Sequence, residues 1–443
     1  MNSFSKDSSI SFLTEISVFI FGFISSIILA RYLGPTGRGI YSLAILIPGI
    51  MLTFGNFGVE SSNVYFVGSK KYKIEDAVSN SLILAFFLGF ILIIIFWLLL
   101  QFNFFQKFIQ SNQISPIFLW ITVAIIPFSL LLSFLRNAIR GVGEITNYNK
   151  IRLLENFLQL VAIFSLVLLF RKSILGAVSA YAISIMGAVL FTIFLVKRLA
   201  RFRFSLNKKL AKESFLYGGK VYVANALSFL NYRSDMFFLA FFLTPAAVGF
   251  YSLATGIAEQ LFMIPGALAT VLFPRVSSIS NSEANDFTPK IVRHTFFIML
   301  ILSLLLSFLA RPLVIIIFGL DFLPSVIPLI LLLPGIIAFG VGGVLAADLG
   351  GRGKPQFAVY SSLGCLIIDT ILNFILIPRW GVSGASIASS ISYSVDTLMM
   401  LIAFLKVSKK SLVEVLLIKK EDFKDYIQIF FSFRDWIQAK RLN

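Results

Sequence analysis

The chain has one cysteine and one histidine in 443 residues, and only 13% of it is charged. A lone cysteine, Cys365, excludes an intramolecular disulfide framework and says little about redox compartment. His294 has no second histidine or cysteine to complete a metal set; it reads as a structural or interfacial residue at the start of a helix. Phosphate-loop spacing is missing as well. Gly34-Pro-Thr-Gly-Arg-Gly39 and Gly350-Gly-Arg-Gly-Lys-Pro355 are glycine-rich, but Asp348 stands where GxxxxGK[ST] needs its first glycine, so both read as tight interhelical turns. Residues 1–9 lack the short apolar core and small-residue cleavage site of a signal peptide, so the first apolar segment is expected to stay as a span.

Hydrophobic residues, in contrast, make up 58% of the chain, with 49 Phe, and a soluble protein would have nowhere polar to face. Mean hydropathy is +0.91. Apolar stretches long enough for ~30 Å of hydrocarbon run at 10–30, 40–66, 78–100, 117–135, 153–170, 174–196, 214–243, 247–273, 294–318, 323–347, 356–377 and 381–405. The expectation is an all-α polytopic membrane protein of about 12 transmembrane helices. With these boundaries 29 Lys and Arg fall in segments on one side and 7 on the other, which predicts both termini in the cytoplasm. That topology accounts for the net charge of +17, so nucleic acid is not an expected partner. The longest outer loop, 101–116, is too short for a folded domain, which argues against membrane glycosyltransferases with chemistry in large external loops.

The chain also repeats itself. Residues 28–44, ILARYLGPTGRGIYSLA, return 210 positions later as FLAFFLTPAAVGFYSLA, aligning Leu29, Pro35, Gly39 and Tyr41-Ser42-Leu43-Ala44 with Leu239, Pro245, Gly249 and Tyr251-Ser252-Leu253-Ala254. A second match puts Arg171, Gly176, Ala177 and Ala180 208 positions before Arg379, Gly384, Ala385 and Ala388. Duplicated membrane bundles are typical of transporters, and an even helix number per copy makes the repeat parallel rather than inverted. The expected lobes are 1–205 and 206–405, joined by a basic linker near Lys197 to Lys212, with 406–443 as a cytoplasmic tail.

Polar residues inside helices are expensive in hydrocarbon and are expected to face a cavity or a partner. The seventh apolar stretch, 214–243, carries most of them: Tyr217, Lys220, Ala224, Ser228, Asn231 and Asp235 fall on a stripe about 80° wide at 100° per residue. Arg233 lies off it. A hydrogen-bonded seam between helices would look the same. Asp235, Asp369 and Ser389 each stand roughly 12 Å below the expected outer surface, and Asn373 shares a helix face with Asp369. Two carboxylates, an amide and a hydroxyl are hard oxygen ligands that suit a group I or II cation, and two carboxylates sharing a proton would be a proton site. Pairing of Asp369 with Arg379 or Arg311 is the structural alternative.

Ala30-Arg-Tyr-Leu-Gly-Pro-Thr-Gly-Arg-Gly-Ile-Tyr41, Asp235, Val248-Gly-Phe-Tyr-Ser-Leu-Ala254, Phe273-Pro-Arg-Val-Ser277, Asn373-Phe-Ile-Leu-Ile-Pro378 and Gly381-Val-Ser-Gly-Ala-Ser-Ile-Ala388 resemble the polysaccharide transporters of the multidrug/oligosaccharidyl-lipid/polysaccharide exporter superfamily. Within it the chain looks most like bacterial O-antigen, capsule or exopolysaccharide flippases. The resemblance implies a MATE-like fold of two six-helix lobes in the inner membrane, with no cofactor and no enzymatic activity. It also implies ion-driven carriage of an undecaprenyl-pyrophosphate-linked oligosaccharide, beside polysaccharide polymerase and ligase machinery. The sodium-site pattern of related lipid II flippases maps onto Asp235, Asp369, Asn373, the backbone of Ala385 and Ser389, although those relatives place the Asn before the Asp.

A pyrophosphate crossing hydrocarbon needs compensating positive charge. Lys220 is the best-placed candidate, followed by Arg233 and Arg31, with Asn231, Ser228 and Tyr217 beside them for the substrate; Arg31 also reads as a headgroup anchor. Glu15, Glu60, Glu259 and Asp396 are available to pair with these bases, bind sugar hydroxyls or gate. Residues 411–443 mix apolar and basic side chains as an amphipathic interfacial helix would. A MATE-like cation antiporter, a lipid II-type flippase and a membrane enzyme are the competing readings, the antiporter needing an acidic, aromatic cavity and the enzyme a water-exposed catalytic set.

Overall fold

The computed structural model describes residues 2–170, 173–200, 204–419 and 421–422, without the side chains of 2–9, 220, 221, 224 and 225. Among the described residues the protein is all helix, with no strand. In order these are α1 (Asn2–Gly55), α2 (Val59–Gly68), α3 (Ile74–Leu99), α4 (Asn103–Ser111), α5 (Pro116–Ala124), α6 (Ile126–Val142), α7 (Ile145–Ile163) and α8 (Ser173–Leu199). They continue as α9 (Lys208–Phe242), α10 (Pro245–Ala258), α11 (Met263–Ser278), α12 (Asn281–Leu313), α13 (Val326–Gly351), α14 (Gln356–Ser408) and the short α15 (Leu412–Leu416).

Nine helical segments among the described residues are long and apolar enough to cross a membrane, so the protein is multi-pass. Two of the nine contain a break: Gly34 in α1 has φ 64 and Gly381 in α14 has φ 58. Only glycine adopts that left-handed backbone without a steric penalty, and each is followed by the start of a new helical run. The turn at Gly381 has a counterpart 208 positions earlier, where Ser173 takes φ 46. Helix α9 is not among the nine, because its polar residues dilute its hydropathy.

Several boundaries differ from the sequence expectation. The stretch 40–66 is not one helix: the chain turns at Phe57 and Gly58, both at positive φ, and restarts as α2. The loop 101–116 contains α4, which Asn112 ties down by donating to the Ala240 carbonyl at 2.9 Å. His294 does not begin a helix but lies well inside α12. The notional tail helix is represented by α15, capped by Ser411 and Glu414, and residues 423–443 lie outside the described residues.

Backbone packing groups the chain into two compact units. The first comprises Met1–Leu253, Pro312–Val326 and Ile377–Val382, and the second Ala254–Arg311, Ile327–Leu376 and Ser383–Asn443. The lobe boundary expected at 205/206 falls within the first of these.

Lipid tails are as apolar as leucine, so helices in hydrocarbon associate through close backbone approach and interhelical hydrogen bonds more than through apolar burial. The first unit uses both. Its two copies of the repeated motif face each other reciprocally: a Cβ on Gly39 would collide with the Pro245 carbonyl, and a Cβ on Gly249 with the Pro35 carbonyl. Asn63 binds α2 to α3 and α6, donating to Ser81 Oγ at 2.9 Å and the Phe134 carbonyl at 3.1 Å. Large side chains such as Phe87, Phe90 and Trp97 of α3 stay exposed, as a lipid-facing surface requires.

The second unit packs Leu272, Val292, Val344, Leu345 and Phe404 into one apolar core. At the end of α13 the Gly350–Pro355 turn is held by Arg352, which reaches Asp348 at 2.7 Å and Asn285 at 2.7 Å, while Thr288 donates to Asp348 at 2.6 Å. Asp348, the residue that spoils the phosphate-loop pattern, is therefore a buried anchor for the turn. Arg293 of α12 clamps Asp422 through two bonds of 2.7 and 2.9 Å and also donates to the Glu414 carbonyl, tying both residues to α12.

Candidate functional site

Helix α9 runs unbroken from Tyr217 to Asp235, and the described side chains of the stripe differ in burial. Asn231 and Asp235 are buried, Ser228 is exposed, and Tyr217 is half-buried. Asp235 is 1% exposed and accepts a bond from the Tyr251 hydroxyl of α10. A carboxylate at that burial needs donors, and the phenol supplies one of the stronger kinds. Tyr217 stacks on Tyr65 with ring centroids 4.4 Å apart and planes 11° from parallel, and Phe66 leans against it at 5.6 Å. Flat aromatic faces of this kind can hold the apolar face of a sugar ring. The Lys220 and Ala224 side chains lie outside the described residues, and Arg233 donates to the Tyr232 carbonyl at 3.3 Å.

Arg31 has a defined occupation. Its Nε donates to the Ile317 carbonyl at 2.7 Å and its Nη2 to the Ile316 carbonyl, at the end of the π-helical turn Val314–Phe318 that follows α12. A guanidinium at a helix C-terminus satisfies orphan carbonyls and complements the dipole there.

In the second unit Asp369, Asn373, Ala385 and Ser389 are all buried. Asn373 donates to Asp369 Oδ2 at 2.9 Å, as their four-residue spacing on α14 requires, and Ser392 donates to Oδ1 at 3.2 Å. Ser389 bonds the Ala385 carbonyl on its own helix at 2.9 Å. Asn373 and Ser392 are thus two neutral donors to the Asp369 carboxylate, and a buried carboxylate can take up either a cation or a proton. Of the five ion-coupling candidates, the structure brings the four on α14 into one unit, and Asp235 belongs to the other.

The remaining acids have diverse partners. Glu15 pairs with Arg152 at 2.5 Å, Glu60 accepts from Ser133 at 2.6 Å, and Asp396 is buried with its Oδ2 beside Gly342. No cluster of three or more His, Cys, Asp or Glu suited to a metal occurs among the described residues.

Sequence reasoning passed over three residues. Tyr251 donates to Asp235 and Ser392 to Asp369, and Arg38 is a buried cation inside the repeated motif. Tyr251 was visible as half of the repeated Tyr41/Tyr251 pair, and Ser392 as one of the recurring serines three residues apart on α14. Neither spacing names a chemical role by itself.

The sequence profile described as polysaccharide biosynthesis protein matches residues 4–280. The chain belongs to that family. A curated relative is the probable low-salt glycan biosynthesis flippase Agl15 of Haloferax volcanii, 26% identical over 200 residues, which are 43% of this chain and 41% of that protein. The chain thus matches less than half the length of that relative. Among solved structures, the lipid II flippase MurJ in an inward closed conformation superposes with a TM-score of 0.74 at 18% identity, covering 96% of this chain and all of that one. An inward-facing multidrug resistance MATE family transporter of the MOP superfamily gives 0.67 at 17% identity, covering 89% and 96%. At such identities the likeness of this polysaccharide biosynthesis family member to those structures is one of fold alone.

Proposed function

We propose that this family member flips a lipid-linked oligosaccharide, its glycan joined through a pyrophosphate to undecaprenol, from the cytoplasmic to the outer leaflet for O-antigen, capsule or exopolysaccharide synthesis. The observation that carries the reading is the family match over residues 4–280 of a multi-pass helical chain, supported by a relative named as a glycan flippase. The bilayer is then the cytoplasmic membrane, with both termini inside on the distribution of basic residues.

The physical task is to carry two phosphates and a set of hydroxyls past hydrocarbon. Cationic side chains on α9, Lys220 first and Arg233 second, offset the phosphate charge, and Tyr217 stacked on Tyr65 offers an aromatic face to a sugar. Coupling to sodium or protons falls to two buried carboxylates, Asp235 with Tyr251 in one unit and Asp369 with Asn373 and Ser392 in the other. Binding or release of a cation changes the local charge by one, enough to bias a two-state transporter if the ion binds the two states unequally. Polymerase and ligase enzymes that consume the flipped unit are the expected neighbours.

The test is transport in proteoliposomes loaded with polyprenyl-pyrophosphate-linked glycan, scored by the fraction reached by an external glycosidase. Parent protein raises that fraction, Lys220→Ala lowers the rate, and sodium or pH gradients modulate it. Lys220→Ala flipping at the parent rate removes the anion role, and indifference to both gradients removes the coupling role.

A second reading, a small-molecule antiporter, is favoured by one observation, the buried carboxylate of Asp235 on a fold shared with a multidrug transporter. Export of organic cations, with no movement of the lipid-linked glycan, would select it.

A further inference from the structure

The first unit holds a chamber with polar groups in its wall and no residue of α9 among them. It encloses about 230 Å³ and is walled by α1 and α7, with Ser25, Ser26, Arg38, Tyr41, Asn156 and Gln159 contributing polar groups. Arg38 is 8% exposed. Its Nε donates to Ser252 Oγ at 3.1 Å, Nη1 to the Ser26 carbonyl at 3.0 Å and Nη2 to Ser26 Oγ at 3.0 Å. Every one of these acceptors is neutral, and no carboxylate lines the chamber. A guanidinium has five N–H groups, so three bonds leave two for another acceptor.

The surroundings are unfavourable to an uncompensated cation. Arg38 lies in the first turn of the helical run that restarts at Pro35, where the helix dipole is positive, so its own helix repels its charge. Buried charges in membrane proteins persist when paired, and among the described residues no carboxylate bonds Arg38 or lines the chamber. The same arrangement is favourable to an anion, which would meet the guanidinium, the dipole and several hydroxyl and amide donors.

The internal repeat sharpens this. With the 210-residue offset, Ser25 matches Asp235, Tyr41 matches Tyr251 and Arg38 matches Val248. Where the second copy has a carboxylate bonded to a tyrosine, the first has a serine, the equivalent tyrosine and an added arginine. No aligned position reverses sign, but near the shared tyrosine the first copy carries a cation at Arg38 and the second an anion at Asp235.

We propose that the Arg38 chamber binds a small anion, of halide to phosphate size, on the guanidinium and the donors around it. Its volume lies below the roughly 300–1,000 Å³ of sites for drug-sized ligands, so the occupant is not an oligosaccharide. The inference does not rest on the flippase reading, because it concerns a site the glycan does not fill.

The experiment uses the purified full chain and records thermal unfolding while chloride replaces gluconate at constant sodium, with inorganic phosphate as a second probe. A third arm uses nanodiscs of neutral lipid doped with a polyprenyl phosphate. The proposal expects saturable stabilisation of the parent protein and a half-saturating concentration at least about tenfold higher in Arg38→Gln, the loss of a charge-assisted bond. Stabilisation by chloride or phosphate assigns a free anion; stabilisation only in the doped nanodiscs assigns a lipid headgroup. An arginine that merely braces Ser26 and Ser252 would lower the unfolding temperature of Arg38→Gln and leave its anion response unchanged, which overturns the proposal. So does a parent protein that responds to none of the three probes. If Arg38→Gln fails to fold, bromide diffraction from the parent decides: an anomalous peak beside Arg38 supports the site, and bromide bound elsewhere with none there refutes it.

Discussion

Gly39→Ala is the perturbation whose cost follows most directly from the packing. The added methyl would collide with the Pro245 carbonyl and lie 3.0 Å from the Gly249 nitrogen, both of them backbone atoms that no rotamer change can move aside. The two motif copies must therefore separate by about an ångström, and overpacking of this kind costs ~1–3 kcal/mol. Charged to one conformation of a two-state transporter, that is a shift of about 5- to 150-fold in its population. The single cysteine makes the assay simple: Cys365→Ala leaves a cysteine-free chain, and Ala247→Cys, at a position 7% exposed, reports opening next to the contact. In this background Gly39→Ala should raise the labelling rate by a water-soluble maleimide within that range. Gly249→Ala should do the same, and the double variant less than the product of the two, because one separation relieves both collisions. Gly343→Ala, where a Cβ meets nothing within 4 Å, is the control. Labelling and transport by Gly39→Ala within twofold of the parent would refute the reasoning that glycine is there for close approach.

Other expectations concern the ion pairs and carboxylates. The Arg293 guanidinium holds the Asp422 carboxyl at about 2, below its ordinary value of 3.8, so the stabilisation is present above the higher value and fades as pH falls through the lower one. Unfolding temperature should thus drop between pH 4 and pH 2 in the parent protein, and less so in Asp422→Asn. Arg293→Gln leaves a buried acid unpaired and should cost about 3–5 kcal/mol in chemical unfolding, against less than ~1 kcal/mol for the exposed pair Lys410–Asp286. Tyr251→Phe removes one donor from Asp235 at nearly constant volume and should weaken the coupling of transport to its driving ion without unfolding the protein, read as a smaller rate ratio with and without the gradient. Asp369→Asn should abolish that ratio, whereas Ser392→Ala should reduce it.

The parts of the fold that depend on periodicity and composition were readable in the chain. Apolar runs located most spans, and the glycine turns at Gly34 and Gly350–Pro355 appear as turns, because hydrocarbon length and positive φ are local demands. The break at Ile125 was not, since it interrupts continuously apolar sequence whose hydropathy is the same bent or straight, and the break at Phe57–Gly58 was passed over although Gly55, Asn56 and Gly58 are turn residues. Helix α4 was missed because its apolar and polar residues average out over a loop-length segment. At the site, helical spacing identified Asp369 with Asn373 and the α9 stripe, since residues four apart share a face. Partners from other helices, such as the donor Tyr251 for Asp235 and the acceptor Ser252 for Arg38, depend on tertiary packing that spacing does not encode. The repeated glycines fell between: the sequence marked Gly39 and Gly249 as equivalent, and only the fold shows that the two copies meet through them.

The central claim is that a lipid-linked glycan is the cargo, and its most direct test is deletion of the gene in its host followed by identification of the lipids that build up. The account predicts a polyprenyl-pyrophosphate-linked oligosaccharide accumulating on the inner leaflet, cleared by the parent gene and not by Asp235→Asn. Unchanged lipid-linked glycans, together with new sensitivity to organic cations, would contradict it.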